Sequence, residues 1–399
     1  MPNLKGDTSM TSATSVPNKS AKPKAKSRST RASKKDNEYR FQSVRAVQAG
    51  RSYFVTACPL RLVPEVLTFA PADLPPDLRA QRLLNKGRIP QMAKYLSANP
   101  TSYVLSAITA SIDADHREVR FEERGPLHDG ARIGQLVIPA GARILVNDGQ
   151  HRREAIAAAL RLRPELADES IPLVLFLDAG LVRNQQTFAD LNRHAIRPAT
   201  SLNVLYDHRD PVAKLARRVA SEVCPFVGLT ELERSSLSNR SSKMFTLSAI
   251  HQATLALLRQ QPEVVDDQDE RLVLEFWGIV GELVRDWGFV SEQNTASDLR
   301  RDYVHVHAVA LHALGMAGGE LMTSHPTDWQ PRLRRLRGLD WRRDNRLWSG
   351  RAIRNGKISK AGPSLVLTAN VLRDAVGLEL GATERALEET LPKEDRVAA

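Results

Sequence analysis

The sequence predicts an α/β (α+β) N-terminal domain followed by a mainly α-helical C-terminal domain, and three observations carry that prediction. Strand-like and helix-like apolar spacings alternate from about residue 40 to 200. Beyond Ser201 the strand signals fade and helical spacing dominates. The first 37 residues hold few large apolar side chains and show no period. Strands mixed with helices indicate a layered α/β or α+β domain. A chain of 399 residues, 42% hydrophobic and 26% charged, is long enough for two or three domains and apolar enough for a buried core.

Taken in order, residues 1–37 are rich in Ser, Thr, Lys and Pro. They cannot bury enough surface to offset the entropy of ordering, which predicts a disordered basic arm. The domain predicted over 38–200 opens with a strand region at Arg45–Ala57 containing Tyr53, Phe54 and Val55. Ile89, Met92, Ala93 and Leu96 share one face of a helix that the Asn99-Pro100 pair stops. Strand-like runs follow at Tyr103–Ile112, Gln135–Ile138 and Arg143–Val146, with Pro139-Ala140-Gly141 as the turn between the last two. A helix from about Gln150 to Leu162 would bury Ala155, Ile156, Ala159 and Leu160; a strand at Ile171–Leu177 and a helix over about Leu181–Arg193 complete the pattern. In the domain predicted over 201–399, Val212, Leu215, Ala216, Val219 and Val223 recur at helical spacing. So do Leu247, Ile250, Thr254, Leu257 and Leu258, then Leu272, Phe276, Ile279, Val280, Leu283 and Trp287.

Composition excludes several classes. The longest apolar run, Ile171–Leu177, is far below the roughly 20 residues of a membrane-spanning helix, and the first residues lack an apolar run, so no secretory signal is expected. Cys58 and Cys224 stand far apart, outside any paired-cysteine spacing, so neither a disulfide framework nor a cysteine zinc site is expected. A cytoplasmic protein with no membrane partner is the expectation. The net charge is +11, and residues 1–37 hold nine Lys or Arg against Asp7 and Asp36, which is +7 of it. That arm reads either as a polycation that scans phosphate backbones or as a solubilising tail.

The most informative stretch runs from Ile144 through Asn147-Asp148-Gly149-Gln150-His151-Arg152-Arg153 to Ile156. An apolar strand passes through Asn-Asp-Gly directly into a helix whose first turn carries His-Arg-Arg. Helix N-termini prefer acids, because their unpaired N–H groups and dipole make that end positive. Three potentially cationic side chains there make sense if an anion is bound at that end. The other reading is an ordinary strand–turn–helix whose arginines pair with acids elsewhere. There is no GxxxxGK[ST] and no GxGxxG, so a P-loop or Rossmann site is excluded.

Asp148-Gly149-Gln150-His151-Arg152 is the motif of the DGQHR-domain proteins, and its strand-into-helix context resembles the phosphate-binding turn of ParB-like and sulfiredoxin-like domains. Two longer stretches resemble the DndB family of DNA sulfur modification proteins: Thr187-Phe188-Ala189-Asp190-Leu191-Asn192-Arg193 through Pro211, and Gly338-Leu339-Asp340-Trp341 through Lys360. The resemblance spans about residues 40 to 380. It implies a DNA-binding repressor of a phosphorothioation gene cluster, with double-stranded DNA at the promoter of its own cluster as partner. Related DGQHR proteins hydrolyse nucleotides, which implies ATP with Mg²⁺ as the ligand should this site turn over. In that reading Gly149 and the N–H groups of Gln150 and His151 cradle phosphate, and Arg152 and Arg153 neutralise its charge. Asp148 orients metal or water, His151 shuttles a proton, and Asn192 and Arg193 close the pocket or simply end a helix. A homodimer on a two-fold operator, and contact with other phosphorothioation proteins, are further expectations.

Between 332 and 360 lie eleven basic residues against Asp340 and Asp344, with Trp341 and Trp348 among them. Arg334, Arg335, Arg337, Arg342, Arg343, Arg346, Lys357 and Lys360 are the predicted DNA contacts, with the tryptophans available to stack on sugar or base; the alternative is a solvated surface anchored by its tryptophans. Asp207-His208-Arg209-Asp210 reads as a turn with Asp210 capping a helix that has Pro211 at its first position, in preference to a metal or catalytic cluster. His305, His307 and His312 read as packing residues rather than metal ligands. No nucleophile elbow, paired Cys and His, or nuclease signature stands out.

Overall fold

The computed structural model describes residues 38–69, 84–114, 118–125, 130–177, 180–193, 198–238, 240–259, 264–288, 290 and 295–392. The predicted arm lies outside them. Two compact units divide between residues 195 and 196. Each is described by itself.

In the first unit, Glu38–Gln48 (β1) and Arg51–Pro59 (β2) form an antiparallel hairpin closed by Ala49 and Gly50, at φ 50° and 74°. Two residues at positive φ suit the twist of the flanking strands. The single strand region expected at Arg45–Ala57 is therefore two strands. Val63–Val66 (α1), Leu67–Thr68 (β3), Ile89–Ala98 (α2) and Ile108–Asp113 (β4) follow. Arg120–Glu123 (β5), Arg132–Pro139 (β6) and Arg143–Asp148 (β7) come next. Gln150–Leu162 (α3), Ser170–Leu177 (β8) and Leu181–Arg193 (α4) complete the unit.

The strands form one eight-stranded sheet in the order β3-β7-β4-β8-β2-β1-β6-β5. It is mixed: β3 with β7 and β4 with β8 are parallel, the other pairs antiparallel. β6 and β7 stand five places apart in that order, about 24 Å in a flat sheet. Only residues 140–142 join them, so Pro139 and Arg143 can be no more than about 14 Å apart. The sheet must curl, and the predicted Pro139-Ala140-Gly141 turn joins strands that are not partners. Ile171, Leu173 and Leu175 alternate inward from β8, and Leu96, Ala155 and Ile156 of α2 and α3 share their buried cluster.

The second unit is built mainly of helices. They are Thr200–Tyr206 (α5), Pro211–Glu222 (α6), Leu247–Leu257 (α7), Asp267–Leu283 (α8) and Ala296–Asp302 (α9), then Ala308–Ser324 (α10), Trp329–Leu333 (α11), Gly362–Val376 (α12) and Ala382–Glu388 (α13). Two ribbons that periodicity does not reveal interrupt them: parallel Thr230–Glu231 (β9) with Phe245–Thr246 (β10), and the hairpin Ile353–Arg354 (β11) with Lys357–Ile358 (β12). The predicted faces are the buried ones, Val212, Leu215, Ala216 and Val219 on α6 and Phe276, Ile279, Val280 and Leu283 on α8. Asp210 caps α6, accepting from the Val212 N–H at 2.8 Å with Pro211 in the first turn. Among the described residues no helix is long and apolar enough to cross a membrane.

His305 and His307 precede α10 and pack into this core. The His305 Nδ1 accepts from Trp287 Nε1 at 2.9 Å, and its Nε2 lies 3.2 Å from Asp286. Burial lowers the His305 pKa against the pull of Asp286, and pushes His307 down to about 4. An unfolded histidine titrates near 6.5, so His307 protonates far less readily in the fold than out of it. The stability that His307 lends is full above about pH 6.5 and is lost as pH falls toward 4. Melting temperature is expected to fall over that window, and less steeply in His307→Gln. A wild-type melting temperature that is flat across it would contradict the assignment.

Candidate functional site

β7 ends at Asp148, Gly149 turns the chain at φ 113°, and α3 begins at Gln150. A side chain at 149 would be strained at that φ, and its Cβ would lie 2.8 Å from Ile108 Cγ1 and 3.0 Å from Arg152 Nη2. Glycine here lets the Arg152 guanidinium lie against the backbone. That guanidinium donates to Asp148 Oδ2 at 2.6 Å, Ser106 Oγ at 2.7 Å and the Ala107 carbonyl at 3.1 Å. Arg153 donates to the Leu67 carbonyl at 3.3 Å, pairs with Glu154, and lies 5.0 Å from the Phe69 ring centroid. The cationic first turn is thus offset by carboxylates at positions 148 and 154, and both arginines tie α3 to neighbouring segments. No side chain caps the α3 N-terminus.

The other motif residues are also engaged. His151 Nε2 accepts from the Asn85 N–H at 3.1 Å. Gln150 is buried and its amide donates to the Asn147 carbonyl at 3.4 Å. Sequence reasoning missed a buried polar chain behind the turn. Asn147 Nδ2 donates to Ser111 Oγ at 2.7 Å, and that hydroxyl donates to Asn184 Oδ1 at 2.9 Å. Asn147 Oδ1 is buried with no hydrogen-bond partner among the described residues. The available signal was polarity out of place, an asparagine next to last in an apolar strand; nothing in the sequence marked Asn184, the one buried residue of α4. The chain reaches α4 through Asn184, whereas Asn192 and Arg193 stand about 12 Å further along the helix axis. There Asn192 folds its amide back on the Phe188 carbonyl at 2.8 Å.

In the basic segment, Arg334, Arg335, Arg337, Arg342, Arg346, Lys357 and Lys360 are exposed. Arg343 is half-buried, its guanidinium 3.3–3.5 Å from the carbonyls of Arg300, Arg301 and Gly356. Arg342 and Asn345 hold the Asp340 carboxyl down at about 2. Asn355 and Gly356, at φ 51° and 71°, close the β11–β12 hairpin between Arg354 and Lys357. The tryptophans correct one expectation. Trp341 and Trp348 are 6% and 0% exposed and stack on one another at 5.0 Å, and Trp348 Nε1 donates to the Asp340 carbonyl at 2.9 Å. Burial removes them from base stacking; they anchor the segment. Arg351 is likewise internal, paired with Glu388. Among the described residues no group of three or more His, Cys, Asp or Glu side chains is placed to hold a metal ion.

The segment Asp148-Gly149-Gln150-His151-Arg152 thus forms a strand–glycine–helix turn at the edge of the first unit's buried core. The family model for DndB, described as DNA-sulfur modification-associated, matches residues 41–379, and the chain belongs to that family. Membership ties it to DNA sulfur modification. No curated protein and no solved structure gave a significant match.

Proposed function

We propose that this chain is a DNA-binding repressor of a DNA phosphorothioation gene cluster, acting on double-stranded DNA at the promoter of its own cluster. The observation that carries the reading is the exposed basic run from Arg334 to Lys360 in a chain that belongs to the DndB family. Guanidinium forks take phosphate oxygens in pairs, and each phosphate neutralised releases counterions. Arg354 and Lys357 flank the tip of a tight hairpin that adds to the same run. The reading includes a homodimer on a two-fold operator, contact with other phosphorothioation proteins, and residence with the nucleoid.

A gel shift on the DNA upstream of the cluster, in physiological salt with scrambled competitor, tests it. Replacing Arg337, Arg342 and Arg346 together by alanine is expected to weaken operator binding at least tenfold and to flatten its salt dependence by about 0.9 in log–log slope per lost phosphate contact. Arg343 is left in place because it holds backbone carbonyls. Unchanged operator affinity would remove this segment from the interface.

The uncapped α3 end and the left-handed Gly149 favour a second reading, a nucleotide site in a ParB/sulfiredoxin-like first unit. The turn fits a phosphate better than a metal, since Asp148, the carboxylate that ends β7, is already held by Arg152. ATP with Mg²⁺ is the probe. DNA-stimulated turnover by the purified chain, lost in both Asp148→Ala and Arg152→Ala, would support hydrolysis. A sequence-specific shift indifferent to ATP, with no turnover, would leave the repressor alone.

A further inference from the structure

The second unit contains a cavity of about 290 Å³ lined by none of the motif residues. Its lining carries hydroxyls from Thr200, Thr246 and Ser248, the Gln252 amide, the His312 imidazole and the Lys360 ammonium, and no carboxylate. A metal ion would demand acidic or multiple imidazole ligands, which this lining does not offer; Ala249, Ala308, Val309 and Leu365 supply the apolar part of the wall. This chemistry is that of an anion site: donors from several directions, one fixed positive charge, and no acid to compete.

Two features argue against an incidental crevice. Thr246 and Ser248 are 7% and 9% exposed, and their hydroxyls lie 3.2 Å apart in a chain that continues through Ser201 to the Arg234 carbonyl. The polar wall is therefore built and held. Lys360 pairs with no carboxylate among the described residues, and His312, half-buried, has no hydrogen-bond partner among them. Burial lowers the His312 pKa and keeps the ring neutral, so one nitrogen is free to donate. Three long helices also begin on the walls. Ser248 and Ala249 of α7 already donate their N–H groups to the Ser201 and Thr246 hydroxyls, and Leu365 of α12 to the Ala361 carbonyl, which leaves the N–H groups of Ala308 and Val309, where α10 opens, to the wall. No side chain caps α10 or α12. Val309 is 1% exposed, and its N–H precedes the first helical hydrogen bond of α10.

We propose that this cavity binds a phosphoryl oxyanion, whose source is either the phosphate tail of a nucleotide or the backbone of a nucleic acid strand. The hydroxyls and the N–H groups that open α10 take its oxygens, and Lys360 closes the rim as counter-charge. The inference goes beyond the DNA reading, because it gives Lys360 a defined pocket partner, and it does not depend on the motif turn.

Calorimetric titration of the full chain with inorganic pyrophosphate, without DNA, tests it. Saturable binding is expected, weakened about tenfold or more by Lys360→Glu and independently by Gln252→Glu. Both residues are exposed, so the fold should tolerate the changes. Lys214→Glu, an exposed α6 position outside the cavity, is expected to bind like wild type. No saturable binding, or binding that neither cavity variant weakens, overturns the proposal. Displacement of pyrophosphate by ATP identifies a nucleotide and displacement by a short duplex identifies a nucleic acid strand. Displacement by neither overturns it, leaving an adventitious ion only.

Discussion

Replacing Gly315 with alanine is expected to lower the stability of the second unit by about 3 kcal/mol or more. α10 and α7 approach so closely here that a Cβ at 315 would stand 2.1 Å from the Ala253 carbonyl oxygen and 3.2 Å from its Cα. Backbone cannot swing aside as a flexible side chain can. Glycine inside a helix costs up to about 1 kcal/mol relative to alanine, and at 315 that cost is the condition for the helices to meet. Gly278 in α8 is the control, since a Cβ there meets nothing within 4 Å. Gly278→Ala should gain up to about 1 kcal/mol by relieving the same helical penalty. Thermal melts of the two variants should move in opposite directions. If Gly315→Ala melts with wild type, the close approach of α7 and α10 is wrong.

The second large effect concerns the Arg351–Glu388 pair. Arg351 is 0% exposed and Glu388 4%; Nη2 lies 2.9 Å from Oε2 and Nη1 3.3 Å from Oε1. Asn370 donates to the same carboxylate at 2.9 Å, so α12 and α13 are both tied to the charge. Two desolvated charges in register can roughly balance their hydration cost, whereas one left alone cannot. Arg351→Met and Glu388→Leu are each expected to cost about 3–5 kcal/mol, and the double variant distinctly less than their sum. Additive losses in a denaturation series would mean the two groups do not act as a pair.

The long, strongly periodic elements were legible in advance. The expected helix from about Gln150 to Leu162 and the one over about Leu181–Arg193 coincide with α3 and α4, because apolar residues at helical spacing sit against one buried surface. The first hairpin was not, since its turn is Ala49-Gly50 rather than an asparagine–glycine pair, and strand signals on both sides fuse into one. Sheet order was beyond reach too: β1 pairs with β6, far along the chain, and no local pattern encodes that. At the motif turn, the cationic residues were visible but their partners were not. Arg152 is met by Ser106 and the Ala107 carbonyl from the loop before β4, and Arg153 by the Leu67 carbonyl of β3. The tryptophans show the opposite limit. An aromatic among arginines has the same spelling whether it faces solvent or, like Trp348, the core.

The sheet order also has a consequence for how the protein is made. β8 is the last strand of its sheet to leave the ribosome, yet it lies between β4 and β2. Until Ser170–Leu177 emerges, the nascent chain holds two partial ribbons, β3-β7-β4 and β2-β1-β6-β5, each with an open edge where β8 will insert. At about 5–20 residues per second, those edges stay unprotected for seconds during translation. Open strand edges are templates for pairing with other chains. A fragment ending before Ser170 is therefore a recipe for aggregation, and the shortest soluble piece of the first unit must run past Leu177.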